Sequence, residues 1–142
     1  MSYSEIQSAL TEEWVRVNEN VLVNELPTSY QNVAFEIPDG DPWAAVFLLA
    51  SLSNIGSLGS NGDDEFSGIF QIDLMYPLGE GIFRINEAID LIRGEYKAGK
   101  YLTYSGGTQW VLVVSCGPTS ITEDEGWYKA VITIGWESRI NR

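Results

Sequence analysis

The chain has no histidine and only one cysteine, Cys116. Without histidine, serine and cysteine nucleophiles lack their usual general base, and no imidazole is present to bind a metal. One cysteine cannot form a disulfide within the chain, and no CxxC pair exists to hold zinc. These absences exclude most hydrolase mechanisms and the common zinc sites. Cys116 is expected to be a small buried residue at the end of a strand.

Long apolar runs and basic residues are also scarce. The longest strongly apolar run, Trp43 to Ala50, is too short to cross a membrane and fits a buried strand. The amino terminus has neither the basic start nor the apolar core of a signal peptide. Twenty acidic and eight basic residues give a net charge of −12, which repels phosphate backbones. We therefore expect a soluble intracellular protein that binds no membrane, no cofactor and no specific nucleic acid sequence.

The length of 142 residues predicts one domain, 1–142. A capping box at Ser2 and Glu5 predicts a first helix that runs to about Val21. A second helix is predicted from Ile82 to about Gly99, with isoleucines recurring at helical spacing. Segments with strand periodicity surround it, and one short extended piece is expected at 33–37 within the connector 26–42. This order predicts an α+β domain in which two helices pack on one face of a mostly antiparallel sheet of about five strands.

The stretch Gly79-Glu80-Gly81 joins a strand to the second helix, as phosphate-binding loops do. It lacks the third glycine of a dinucleotide fingerprint and the Gly-Lys-Ser/Thr of a P-loop. The carboxylate of Glu80 would also repel phosphate, and we expect it to cap the helix instead. The acidic clusters at 39–41, 63–65 and 123–125 lack the spacing of a calcium-binding EF-hand loop. We therefore predict no catalytic, cofactor-binding or metal-binding residue.

The strands carry apolar residues on both faces. A sheet of five strands is about 24 Å wide, and two helices cover only one of its faces. An uncovered apolar face points to protein association, unless the connector 26–42 folds over it. The predicted subunit interface consists of outward-facing strand residues and two residues off the stripe of the second helix: Ile69, Met75, Phe83, Leu91, Val111, Val113, Trp127 and Val131.

A long polar loop is predicted from Ser53 to Ser67, because the segment is rich in Gly, Ser, Asn and Asp. Such a loop can become ordered on contact with a partner. The candidate docking residues within it are Ile55, Leu58, Asn61, Asp63, Asp64, Glu65 and Phe66.

Three segments, together with the first helix, carry a family resemblance: Leu26 to Trp43, Gly68 to Gly81 and Glu123 to Trp136. In their order and spacing the chain resembles the bacteriophage tail terminators, a family similar to the minor tail protein U of lambda-type siphophages. The resemblance implies a structural virion protein, assembled in the bacterial cytoplasm, that forms a ring of six subunits on the head-proximal end of the tail tube, ends tube polymerisation and offers the surface to which the head docks. Its implied partners are itself, the tail tube protein and a head-side connector, with DNA passing through the ring.

Two alternatives remain open at this point. The first is another head-tail joining or neck protein, which belongs to the same broad class but occupies a different position. The second is a small hydrolase that uses acidic residues. Such an enzyme needs inward-facing carboxylates in a cleft, whereas most acids of this chain fall in predicted loops or on outer helix faces.

Overall fold

One twisted sheet with two helices against one face forms the architecture of the computed structural model, which describes residues 3–50, 54–55, 59–60, 62–103 and 110–141. This arrangement confirms the predicted α+β class, although these described residues form seven strands where about five were expected. In chain order the elements are α1 (Tyr3–Asn20), β1 (Thr28–Tyr30), β2 (Trp43–Ala50), β3 (Asn54–Ile55), β4 (Asp63–Pro77), α2 (Phe83–Glu95), β5 (Tyr101–Leu102), β6 (Val111–Asp124) and β7 (Trp127–Asn141).

The sheet is built around its three longest strands. Its order is β1-β2-β4-β7-β6-β5, and β3 pairs with β4 off this path. Among the described strands, β1 and β2 pair in parallel and the other five pairs are antiparallel. Strands β6 and β7 are joined by a tight turn in which Glu125 and Gly126 both have positive φ, 48° and 87°. Such backbone angles match the twist of a two-residue hairpin.

The main core lies between the sheet and the helices. Helix α1 contributes Ile6, Leu10, Trp14 and Val17 to it, as its apolar stripe predicts. The buried hydroxyl of Tyr96, just after α2, donates a hydrogen bond to the carbonyl of Leu10 at 3.0 Å. The two helices are therefore joined to each other as well as to the sheet.

The connection from α1 to β1 is held by side chains of the helix. The amide of Asn18 is buried; its Nδ2 donates to the carbonyl of Leu26, and its Oδ1 accepts from the Leu26 N–H, both at 2.8 Å. The indole of Trp14 donates to Thr28 Oγ1 at 3.1 Å. These contacts hold the chain against α1 where β1 begins at Thr28. The extended piece predicted at 33–37 forms no strand.

Two strands are longer than the sequence pattern indicated. Strand β4 begins at Asp63, inside the predicted loop, because residues 63–67 pair in register with residues 137–141 of β7. Strand β6 continues past Cys116 to Asp124, so the cysteine lies inside a strand and not at its end. In both places a partner strand supplies the backbone hydrogen bonds, which local composition does not reveal.

Candidate assembly surfaces

The two faces of the sheet are defined by the side chains that meet the helices. Phe70, Ile72 and Leu74 of β4 face the helices, so Ile69 and Met75 of the same strand lie on the other face, as predicted. The prediction for β6 was wrong, because Val111 and Val113 are buried in this same core and Leu112 faces outward opposite Glu137. Apolar residues fill every position there, so alternation alone did not distinguish the two faces.

One end of the outward face is covered by the chain itself. Met75, predicted to be an exposed interface residue, is only 8% exposed and packs in a small cluster with Trp43 and Ala45. Phe35 of the connector packs onto this cluster, with its ring centroid 5.4 Å from that of Trp43. Trp127, half-buried, meets Trp43 edge-on at 6.1 Å. The alternative that the connector folds over the sheet is therefore correct at this end.

The middle of the outward face is polar. Asp73 is 4% exposed and is the only buried carboxylate among the described residues. It accepts a hydrogen bond from Gln71 at 2.9 Å and faces the Lys129 ammonium at 3.6 Å, and Lys129 also approaches Asp124 at 3.5 Å. A buried carboxylate needs this kind of compensation. Since Lys129 and Gln71 compensate the Asp73 carboxylate within the sheet, its burial offers no support to the hydrolase alternative.

The other end of the outward face presents an exposed apolar pair. Leu49 of β2 and Ile69 of β4 are direct cross-strand partners and are 49% and 38% exposed. We call these two residues the sheet patch. Ile69 was predicted from the sequence, and Leu49 was missed although its alternation with the buried Val46 could have placed it there. Val131, also predicted, is half-buried.

A second exposed apolar cluster lies where β4 passes into α2. Leu78, Ile82 and Phe83 are 42%, 56% and 76% exposed; we call them the joint patch. Only Phe83 was predicted. The predicted cap was wrong, because α2 has no side-chain cap and the Glu80 carboxylate instead accepts a hydrogen bond from Arg84 at 2.9 Å.

Arg84 also contacts the end of β4, just before this joint. Its guanidinium lies 5.5 Å from the ring centroid of Tyr76, within the range of a cation–π contact. Leu91, predicted as an interface residue, is half-buried and lines the shallow groove between α2 and residues 22–24. Arg84 of α2 therefore contacts both Glu80 in the turn and Tyr76 in β4, and these contacts hold the backbone that carries the joint patch.

The predicted docking loop is largely a strand. Asp63, Asp64, Glu65 and Phe66 belong to β4. Ile55 lies in β3, where it pairs with Asp64. Leu58 and Asn61 lie outside the described residues. Residues 63–66 are therefore ordered within the subunit itself and do not need a partner to become ordered.

The sheet edges are protected against pairing with another strand. Beyond the short strand β1, the N–H of Leu48 is bound by the side-chain oxygen of Gln31 at 2.7 Å. Past Val113, the free edge of β6 pairs with no described strand, and it is interrupted by Pro118 and two irregularities of register. Proline and bulges discourage edge-to-edge association. Contacts with other chains are therefore expected through the faces of the domain.

The described residues show no sign of a metal or thiol centre. No three of their Cys, Asp and Glu residues lie close enough together to hold a metal ion. Burial raises the pKa of Cys116 to about 11, so its thiol stays protonated at neutral pH. No helix in this part of the chain is both long and apolar enough to cross a membrane.

Exposed apolar patches on an α+β scaffold, together with protected sheet edges, are typical of a structural subunit that acts by contact with other proteins. The chain belongs to the phage tail terminator protein family, whose model matches residues 5–136. It is therefore a structural component of a bacteriophage tail, is associated with the virion and acts with other tail components.

The fold is shared with solved structures. One of them has a TM-score of 0.75 at 16% sequence identity, over 97% of this chain and 96% of the other. At that identity the likeness concerns the fold alone. No curated protein matches the chain.

Proposed function

We propose that this protein assembles as a six-fold ring on the head-proximal end of the tail tube, ends tube polymerisation and provides the surface to which the head docks. The observation that carries the ring is the presence of two separate apolar patches on one subunit. Along β4, Ile69 and Pro77 are roughly 26 Å apart at ~3.3 Å per residue. The sheet patch and the joint patch therefore lie in different regions of the surface.

Two different patches favour head-to-tail association. A two-fold dimer buries the same surface on both subunits, whereas a ring buries two different surfaces, one from each neighbour. Leu49 and Ile69 of one subunit would meet the joint patch of the next. The predicted interface thus keeps Ile69 and Phe83, with Trp127, Val131 and Leu91 at its margins, and loses Met75, Val111 and Val113 to the interior.

The charge of the chain fits passage of DNA through the ring. Each subunit carries −12, and a negative channel wall does not retain a phosphate backbone. The same charge makes subunits repel one another, although screening over ~8 Å at physiological ionic strength leaves mainly the nearest charges to act. We therefore expect added NaCl or MgCl₂ to favour the ring.

The first test is the mass of the protein in solution. We expect sedimentation over a range of concentration, NaCl and MgCl₂ to show a closed multimer, and Phe83→Asp or Ile69→Asp to weaken its association about 10- to 100-fold, the effect of losing one buried large apolar side chain. Val33→Asp is the control, since Val33 is 60% exposed and belongs to neither patch. A wild-type chain that remains monomeric throughout would refute the ring.

The second test separates a terminator from a neck protein. Phage particles lacking this protein are examined by electron microscopy. We expect tails of uncontrolled length, because nothing stops the tube. Tails of normal length that lack heads would instead identify a head-side joining protein.

For contact with the tube, we retain the end of the sheet formed by β3 and the first residues of β4. There the acidic residues Asp63, Asp64 and Glu65 belong to a strand that β7 supports. A rigid docking surface of this kind loses less conformational entropy on binding than a flexible loop does.

A further inference from the structure

The connector between β1 and β2, residues 31–42, is attached to the rest of the subunit at few points. Nine of its twelve residues are exposed and none is buried. Its hydrogen bonds lie at its start, on Gln31 and Val33. Residues 34–42 make no hydrogen bond and no ion pair with any described residue. Most of the connector therefore lies on the subunit without backbone bonds to it.

One aromatic side chain holds this connector against the sheet. Among the aliphatic and aromatic side chains of the connector, only that of Phe35 packs on a core cluster, with its ring centroid 5.4 Å from that of Trp43. Val33 and Ile37, two residues away on either side, are 60% and 55% exposed. A segment with so few contacts belongs to the least stable part of a fold, which can open while the rest stays folded.

Strand β2, against which Phe35 packs, is apolar along its whole outward side. Trp43, Ala45, Phe47 and Leu49 alternate on the face turned away from the helices. Exposure rises along this row, from 8% and 5% at Trp43 and Ala45 to 49% at Leu49. The connector thus covers one end of an apolar row whose other end is open and belongs to the sheet patch.

The connector has a left-handed backbone position near each of its ends. Asn32 and Gly40 have φ of 57° and 77°, and both are exposed. A Cβ built on Gly40 meets no atom within 4 Å, so the absence of a side chain there serves the backbone angle and not packing. Small residues of this kind at the ends of a segment suit the dihedral changes of a hinge.

We infer that residues 31–42 form a strap, closed by Phe35, that opens as a unit while the helices and the sheet stay folded. Opening extends the exposed apolar surface from the sheet patch along β2 to Trp43. The strap therefore sets how much apolar surface one subunit presents. Since its opening is a property of the single subunit, this inference does not rest on the proposed ring.

Thiol labelling measures the opening of the strap. In a chain with Cys116→Ala, which removes the native thiol, Ala45→Cys places a reporter in the cluster that Phe35 covers. The control is Ala44→Cys, on the same strand but fully buried in the main core, where reaction requires global unfolding. We expect the cysteine at 45 to react with DTNB roughly 100-fold faster than the one at 44, because local opening costs less than global unfolding.

A pair of glycine variants separates strap opening from a general loss of stability. Gly40→Ala strains the closed strap without changing the covered cluster, because a left-handed backbone costs alanine more than the open-chain entropy that alanine saves. Labelling of Ala45→Cys should then accelerate about 3- to 10-fold. Gly99→Ala is the matched control: Gly99 also has positive φ and open surroundings, but it precedes β5 at the other edge of the sheet. It should leave the labelling rate unchanged.

Acceleration by Gly40→Ala alone supports the strap. Equal acceleration by both glycine variants overturns it, because the thiol then reacts only through global unfolding. Acceleration by neither also overturns it, since opening of the connector then does not limit access, and so do equal labelling rates at 44 and 45. Met75→Cys is a second reporter in the same cluster, and its smaller side chain does not overpack the site.

Discussion

Replacing Trp14 with alanine is expected to lower the free energy of unfolding by about 3–5 kcal/mol, the usual range for a large aromatic side chain lost from a core. The indole of Trp14 is fully buried between α1 and the sheet. It also donates its N–H to Thr28 Oγ1, and Thr28 in turn donates to the carbonyl of Leu26. The substitution therefore removes core volume and a link from the first helix to β1 at the same time.

Urea denaturation followed by circular dichroism measures the effect of Trp14→Ala. Trp14→Phe, which keeps most of the volume but loses the N–H, should cost about 1–2 kcal/mol. Val15→Ala is the control at the neighbouring position, where the side chain is 36% exposed, and it should change stability by less than about 0.5 kcal/mol. Equal effects of Trp14→Ala and Val15→Ala would show that α1 does not pack as described.

Asn18→Ala is expected to cost about 1–3 kcal/mol, because it leaves the Leu26 N–H buried without its partner and removes one of the two donors to the Leu26 carbonyl, the other being Thr28 Oγ1. Leu26 itself is 3% exposed, so water does not readily replace the lost amide. The segment leading into β1 should loosen as a result. Hydrogen exchange measured by NMR should then show lost protection at the Leu26 amide, ahead of global unfolding.

A closely matched control for Asn18→Ala lies two residues along the same helix. The side chain of Asn20 also donates to a backbone carbonyl, that of Arg16 at 3.1 Å, but at an exposed site. Asn20→Ala should therefore change stability by less than about 0.5 kcal/mol. If both variants lower the free energy of unfolding by the same amount, burial of the Asn18 amide does not stabilise the connection from α1 to β1.

The sequence predicted a single apolar outward face of the sheet, whereas the structure shows a divided one. The expectation of assembly came from apolar residues on both faces of the sheet. The face turned away from the helices has three parts: a cluster covered by Phe35, a polar centre around Asp73, and the sheet patch. Only the last supports association. The case for assembly therefore depends on smaller patches, and on α2 more than on the sheet.

Properties of single elements were readable from the residues alone. The stripe of α1, the start of α2 near Phe83 and the inward residues of β7 all follow from spacing within one element, because a helix or strand repeats its side-chain direction regularly. The order of helices and strands, and with it the α+β class, followed from these periods. The family resemblance likewise needed only the order and spacing of segments.

Relations between elements were decided by the tertiary structure. Val111 and Val113 point inward because the register with β7 places Val113 opposite Trp136, and an uninterrupted apolar run contains no information about that choice. Residues 63–67 are a strand because β7 reaches them, and Met75 is buried because Phe35 comes back over it. Local sequence sets the period of an element, whereas burial and pairing depend on neighbours that are distant along the chain.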